Sequence, residues 1–274
     1  MNRVLSPDAV ERYRRDGLLF PIDALPTAEA EALRRRYESQ RDLIRGRTNQ
    51  KPHLLFPWIA ELVRHPRIVD AVEDLLGPDL LCWGAQFFTK PAGDAGFVSW
   101  HQDATYWGLS SPDVVTAWVA LSPSNARSGC MRVIPGTHQS QLEHADTFDQ
   151  ANLLTRGQEI TVEVDTRRAV DVVLEPGQYS LHHVLVHHAS EPNRAEHPRI
   201  GLAIRYIPTH LRQTTGIRES ATLVRGTDRH HHFDPEPRPA ADLHPDAVAA
   251  HTQALERQLQ VLYAGARQKG RLQA

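Results

Sequence analysis

The stretch SWHQDATYWGL, Ser99 to Leu109, sets His101 and Asp103 two residues apart beside Trp100, Tyr106 and Trp107. Imidazole and carboxylate both ligate divalent transition metals well. Alternate side chains of a strand share a face, so His101 and Asp103 would point the same way, with Gln102 opposite. The same pair also occurs at ordinary strand rims, where it only hydrogen-bonds locally. What separates the two readings is a third ligand. Two imidazoles and one carboxylate cover one face of an octahedral iron(II) ion and leave three positions for a cosubstrate and oxygen.

The richest supply of a third ligand is LHHVLVHHASEPNRAEHPRIGLAIRYI, Leu181 to Ile207, which carries His182, His183, His187 and His188 around a short apolar run. Composition does not choose among the four. One would ligate while others orient the site. Arg199 follows on an expected strand, and its guanidinium suits a bidentate pair with a small carboxylate. The plainer reading has these histidines hydrogen-bonded to backbone and Arg199 on the surface. A second histidine cluster, DRHHHFDPEP from Asp228 to Pro237, holds three successive imidazoles that diverge in most backbone conformations. It reads as a surface loop.

The elements that must position these groups fall into three parts. In residues 1–78, Ser6 or Asp8 caps a helix ending at Gly17, LLFPI forms a brief strand, and a second helix runs from Thr27 towards Gly46. A loop, RTNQKPHLLFPW, follows, and a further helix starts at Pro66 and stops at Gly77–Pro78. Residues 79–208 change texture to short Val-, Ile-, Leu- and aromatic-rich segments parted by Gly, Pro, Asn and Ser. These include LLCWGAQFFTK, DVVTAWVALSPS, CMRVIPG, ITVEV, AVDVVLEPGQYSLHH and RIGLAIRYI, a β-rich centre of two packed sheets or a barrel. In residues 209–274 a polar connector, an exposed lid or surface loop, precedes a helix over DAVAAHTQALERQLQVLYAG. Its Leu255, Leu259 and Leu262 share one side, a stripe for intramolecular packing or for dimerisation.

Bulk properties narrow the class. A chain of 274 residues, 41% hydrophobic and 23% charged, suits one globular domain over 1–274. A formal net charge of -2 argues against a nucleic-acid coat. No apolar run is long enough to span a membrane, and the opening residues lack a signal-peptide core. The two cysteines, Cys82 and Cys130, make no disulfide framework and suit a reducing compartment, so a cytoplasmic enzyme is the expectation. No P-loop, dinucleotide fingerprint or nucleophile elbow competes.

Taken together, FFTKPAG, WHQDATYW, TAWVALSPSNARSGCMRVIPGTH and VHHASEPNRAEHPRIGLAIRY, spread over residues 86–207, resemble the phytanoyl-CoA dioxygenase family of iron(II)- and 2-oxoglutarate-dependent oxygenases. The resemblance implies a mainly β fold with supporting helices, a double-stranded β-helix of the jelly-roll, cupin-like kind. It assigns His101 and Asp103 as iron ligands. The family's distal motif, a histidine followed by a small residue, Ser and then Asn, matches His188, Ala189, Ser190 and Asn193 and so selects His188 over His187. It gives Arg199 the distal carboxylate of 2-oxoglutarate and adds Lys90, Gln86, Thr116 and Trp118 as cofactor-pocket candidates. Gly129 and PGTH, Pro135 to His138, fit a family turn, with His138 not a ligand.

The implied activity is a hydroxylase using Fe(II), 2-oxoglutarate and O2, with succinate and carbon dioxide as coproducts. Related halogenating enzymes carry a small residue at the Asp103 position, so the carboxylate here favours hydroxylation. Desaturation, cyclisation and epoxidation share the same ligands, and a non-catalytic jelly-roll binding protein is the alternative from another class. The expected substrate is a small polar or anionic metabolite or a natural-product intermediate, and the expected state a monomer or homodimer. Tyr106, Trp107 and Trp83 are candidates for an apolar wall or cation-binding cage. Arg127, Arg132 and Arg205 would meet an anion if they face inward. HADTFDQANLLTRGQE, around His144, Asn152, Arg156 and Gln158, reads as a mobile cover.

Overall fold

A computed structural model describes residues 4–264 and 266. Among the described residues there are five α-helices and thirteen strands, four of the helices preceding the main run of strands and one following it. The N-terminal part contributes α1 (Pro7–Asp16), β1 (Leu18–Asp23), α2 (Thr27–Gln40), α3 (Pro57–Leu62) and α4 (Pro66–Leu76). The centre contributes β2 (Leu80–Lys90), β3 (Val98–His101), β4 (Val115–Ala120), β5 (Met131–Ile134), β6 (His144–Asp146), β7 (Gln158–Ile160), β8 (Val170–Asp171), β9 (Gln178–His183), β10 (His187–Ser190) and β11 (Arg199–Pro208). β12 (Ser220–Arg225), β13 (Asp234–Pro235) and α5 (Pro245–Leu262) complete it.

Two sheets face each other, a seven-stranded one in the order β1-β9-β4-β11-β2-β12-β13 and a four-stranded one in the order β3-β10-β5-β8; β6 and β7 form a separate ribbon. This is the expected jelly roll, but its large sheet draws on more than residues 79–208. β1 joins at one edge by pairing with β9. At the other, β12 pairs with β2, so part of the polar connector is sheet rather than exposed lid. ITVEV departs from expectation as well: β7 stops at Ile160, and Val162 is exposed and finds no strand partner.

Period-2 alternation in the central strands divides the large sheet into two faces. On β11, Ile200, Leu202, Ile204 and Tyr206 pack with Val115, Ala117 and Val119 of β4 and Tyr179 and Leu181 of β9. The same core holds Ile59, Ile68 and Val72 of the helices, which is why α3 and α4 lie on this side. Two buried tyrosines tie the layers: Tyr179 Oη donates to Arg67 O at 2.9 Å and Tyr206 Oη to Val63 O at 2.9 Å.

The opposite face is set by register. Arg199 pairs with Lys90; Ala203 lies between Gln86 and Trp118; Arg205 lies between Gly84 and Thr116; and Thr116 pairs in turn with His182. The residues that alternate with the apolar core are therefore the polar and small ones, and they look between the sheets. At Gly201 a Cβ would come within 2.0 Å of the Trp118 ring, so glycine there lets the indole lie flat over β11.

Helix boundaries follow their local chemistry. Ser6 Oγ accepts from Ala9 N–H at 3.2 Å, and Gly17 closes α1 in the left-handed region at φ 68°. α2 ends at Gln40, short of the expected Gly46, and the chain continues in turns. The Gln40 side chain is engaged by Trp58 Nε1 at 2.9 Å and Asp242 at 2.6 Å. Gly265, the expected end of the last helix, lies outside the described residues, as do residues 1–3 and 267–274 of the single expected domain. Among the described residues no helix is long and apolar enough to cross a membrane.

Candidate metal centre

β3 and β10 run antiparallel with His188 opposite His101, so one register position brings two imidazoles together across sequence separation. Gln102 stays extended, at φ -122° and ψ 134°, which returns Asp103 to the face of His101 before the chain turns into a short 3-10 segment. The ligand atoms of His101, Asp103 and His188 lie within 4.8 Å of one another. Asp103 Oδ1 is 3.4 Å from His101 Nε2 and 3.9 Å from His188 Nε2.

Both rings are oriented from behind. His101 Nδ1 lies 2.9 Å from Ser99 O and 3.0 Å from His188 O, and His188 Nδ1 lies 2.9 Å from Val186 O. Carbonyls only accept, so each Nδ1 carries its proton and each Nε2 offers a lone pair to the same point. Burial, then the neighbouring His101, presses His188 well below the usual imidazole value and keeps it neutral, as a ligand must be. Burial alone would raise the Asp103 carboxyl. The imidazoles of His101 and His188 that face it, together with the guanidinium of Arg205, outweigh it and hold Asp103 below the usual carboxylate range.

Gln102, on the opposite face, fixes the ligand strand. Its Nε2 donates to Leu185 O at 2.6 Å and Ser140 O at 2.8 Å, and its Oε1 accepts from Leu142 N–H at 2.7 Å. Its backbone N–H donates to His144 Nε2 at 2.9 Å. His144, read from sequence as part of a mobile cover, thus braces the residue between two ligands. No local pattern in the sequence signals that role, because β6 reaches β3 only through the tertiary fold.

The ligands open into a cavity of about 460 Å³ including its mouth, walled by Phe88, Val98, Trp118 and Met131 and reaching Thr116, His182 and Arg199. Arg199 is 2% exposed and has no carboxylate partner among the described residues. Its Nη1 donates to Gly129 O at 2.6 Å, its Cζ lies 5.3 Å from the Trp118 ring centroid, and its Nε is unpartnered. Burial lowers its pKa to about 10. Thr116 Oγ1 and His182 Nδ1 are also buried without a partner, and burial takes His182 down to about 4. A buried guanidinium and orphaned polar atoms beside three metal-ligating groups fit a small dicarboxylate.

The other sequence candidates distribute themselves plainly. Trp118 and Thr116 line the metal cavity. Gln86, Tyr106, Trp107 and Trp83 line a second cavity, about 710 Å³ including its mouth, that meets the first at Phe88, Asp103, Leu154 and Arg205. Lys90 lines neither: its ammonium is bound by Ser190 Oγ at 2.7 Å and by Glu191 O, and burial followed by the charge of Arg199 lowers it to about 7. Arg127 departs from expectation: it is exposed in the β4–β5 turn, where its carbonyl accepts from Arg194 N–H at 2.7 Å, and it lines neither cavity. Arg132 lies outside the barrel, paired with Asp171 and Glu191.

Asn193 braces the chain between His188 and Arg199 by donating to Pro91 O at 2.8 Å and His197 O at 2.9 Å. His210, His230 and His232 gather only loosely at the surface, and among the described residues the single group spaced to hold a metal is His101, Asp103 and His188.

The family model for phytanoyl-CoA dioxygenase matches residues 2–201. A solved structure described as the non-heme monooxygenase ThoJ, apo form, is 39% identical and superposes with a TM-score of 0.83, covering 93% of this chain and 97% of that one. CytC3 with Fe(II) and alpha-ketoglutarate is 28% identical with a TM-score of 0.64, over 85% and 93%. A probable alpha-ketoglutarate-dependent hypophosphite dioxygenase of Stutzerimonas stutzeri is 30% identical over 167 residues, 57% of this chain and 55% of that protein. The match thus spans about half the length of that curated relative. The chain belongs to the phytanoyl-CoA dioxygenase family.

Proposed function

We propose that the protein is an iron(II)- and 2-oxoglutarate-dependent dioxygenase that hydroxylates an unactivated C–H bond of a small polar or anionic metabolite or natural-product intermediate. The observation that carries this reading is the triad itself, with both ring Nδ1–H groups committed to carbonyls and both Nε2 atoms turned to one point with Asp103. His101, Asp103 and His188 would hold iron. Bound iron(II) and 2-oxoglutarate supply an oxidant strong enough for such a C–H bond, with succinate and carbon dioxide as coproducts.

The chain's own residues do the rest. Arg199, unpaired and buried, takes the distal carboxylate of 2-oxoglutarate, and the carbonyl of Gly129 steadies its guanidinium. Phe88, Val98, Trp118 and Met131 keep water from the cosubstrate. The Asp103 carboxylate occupies the ligand position that a halide would need, which supports hydroxylation. A ligand-binding protein without chemistry has no need of three convergent ligands with fixed tautomers. Free, buried Cys82 and Cys130 support a reducing, cytoplasmic setting.

The test is oxygen-dependent conversion of 2-oxoglutarate to succinate by anaerobically iron-loaded protein supplied with a metabolite pool. The expected outcome is succinate together with a product one oxygen atom heavier, both absent in His101→Ala. Succinate yields that are unchanged by that substitution would defeat the proposal.

A further inference from the structure

The inward face of β11 carries two arginines, and only Arg199 is accounted for. Arg205 lies three inward positions further on, beyond Gly201 and Ala203, roughly 20 Å along the strand at 3.3 Å per residue. Its register neighbours are Gly84, which has no side chain, and Thr116, whose hydroxyl has no partner. Among the described residues Arg205 has no ion pair and no hydrogen bond, and its Nε is buried without a partner. What holds it is a ring: its Cζ lies 5.1 Å from the Trp107 centroid, and Trp107 packs at 5.0 Å against Trp83. Arg156, the other basic group near the outer cavity, is already committed to Asp146 and to Leu262 O.

Arg205 lines both cavities at their junction. Among the described residues Asp103 is the one acidic side chain lining either cavity, and it is grouped with the metal-ligating histidines. When the site is loaded, a dication, Asp103, Arg199 and the 2-oxoglutarate dianion balance one another, which leaves the charge of Arg205 uncompensated. Arg205 is half-buried with its Nε out of reach of water, and a guanidinium so placed is normally paired. The outer cavity also has walls from beyond the family match: Arg205 itself and Leu259 and Leu262 of α5 follow residue 201.

Resting on the dioxygenase reading, we propose that Arg205 is the anion anchor of the substrate. The substrate is then a small acid, a carboxylate or phosphonate, whose acid group pairs with Arg205 beside the metal while an apolar body lies against Trp83 and Trp107 beneath α5. Arg205 recognises substrate; it does not hold the cosubstrate.

Calorimetry on full-length protein loaded anaerobically with Mn(II) and 2-oxoglutarate tests this, because Arg199 is then occupied. The probes are phenylacetate, indole-3-acetate, hexanoate and benzylphosphonate, with the neutral amide of each carboxylate. At least one acid binds, and any carboxylate that binds does so about tenfold or more tightly than its amide, the scale of a charge-assisted hydrogen bond. Arg205→Gln abolishes that preference and Arg205→Lys keeps part of it, while Mn(II) and 2-oxoglutarate affinities stay within about twofold. Three results would overturn the proposal: no acid preference in the wild-type protein, including no binding of any probe; a preference that survives Arg205→Gln; or loss of Mn(II) binding in Arg205→Gln, which would make Arg205 a support for Asp103. Failure of 2-oxoglutarate to bind the wild-type protein would instead sink the dioxygenase reading, and the acid-over-amide comparison can still be made with Mn(II) alone.

Discussion

His101 and Asp103 are useful as a pair only because Gln102 is extended and tied down on the other face. Removing either ligand, as His101→Ala or Asp103→Ala, lowers iron affinity by about 100-fold or more, since loss of a mere supporting hydrogen bond already costs 10–100-fold; equilibrium dialysis with Fe(II) measures it. Arg199→Ala raises the KM for 2-oxoglutarate by roughly 10–100-fold, the worth of one charge-assisted contact, with iron affinity retained. At this scale the sequence was informative about types and spacing. The i, i+2 pair and the Arg199 distance from the histidine run are visible in the string. The choice among four histidines needed the family motif, and the carbonyls that fix the tautomers are invisible there because they depend on how β3 meets β10. Arg127 and Arg205 looked equivalent in sequence, yet one sits in an exposed turn and the other on an inward strand face.

Among the elements, β11 carries most of the design. Its alternation sends four apolar residues to the helices and Arg199, Gly201, Ala203 and Arg205 to the inward face, where Gly201 lies under Trp118 and the other three line the cavity. Gly201→Ala forces a Cβ into the Trp118 ring and costs about 1–3 kcal/mol, readable as a lowered urea midpoint. Gly129 serves from a turn: its φ is +68° and a Cβ there would meet Glu191 O at 2.2 Å. Gly129→Ala moves the carbonyl that receives Arg199 and so weakens 2-oxoglutarate binding as well as stability, whereas Gly201→Ala leaves that carbonyl in place. Capped helices were the most legible elements, because Ser6, Gly17, Pro66 and Gly77 act locally. α2 and ITVEV were less so, since Gln40 is claimed by partners distant in sequence and Val162 has no strand to pair with. Pairing of β12 with β2 was beyond sequence reading, as a polar connector gives no sign of which edge it will join.

For the whole molecule, buried titratable groups away from the metal couple stability to pH. Glu236 is 2% exposed in its side chain and pairs with Lys51 Nζ at 2.5 Å. Burial acts to raise it, but Lys51 and His53 prevail and hold it far below its ordinary 4.5. Its contribution is therefore present above pH 4.5 and lost as the pH falls below it. His183 is pressed from 6.5 to about 4 by burial, and its Nδ1 accepts from Leu185 N–H at 3.1 Å, so the folded state refuses a proton that the unfolded chain takes up. Stability consequently declines from pH 6.5 towards 4 as the unfolded chain takes up the His183 proton, and the decline continues below pH 4.5 as Glu236 takes over. Urea midpoints across that range measure the slope; Lys51→Met, which strands a buried carboxylate, lowers stability by about 3–5 kcal/mol near neutral pH.

On the proposed reading, the jelly roll, the helical layer behind it and the site on its inner face form one arrangement that holds iron and 2-oxoglutarate together. Anaerobic titration of the full chain with Fe(II) and then 2-oxoglutarate, followed by visible charge-transfer absorption, addresses that most directly. The account predicts a band that saturates at one iron and one 2-oxoglutarate per chain, disappears in His188→Ala and needs a higher 2-oxoglutarate concentration in Arg199→Ala. Absence of the band in the wild-type protein, or its persistence at full strength in His188→Ala, would contradict it.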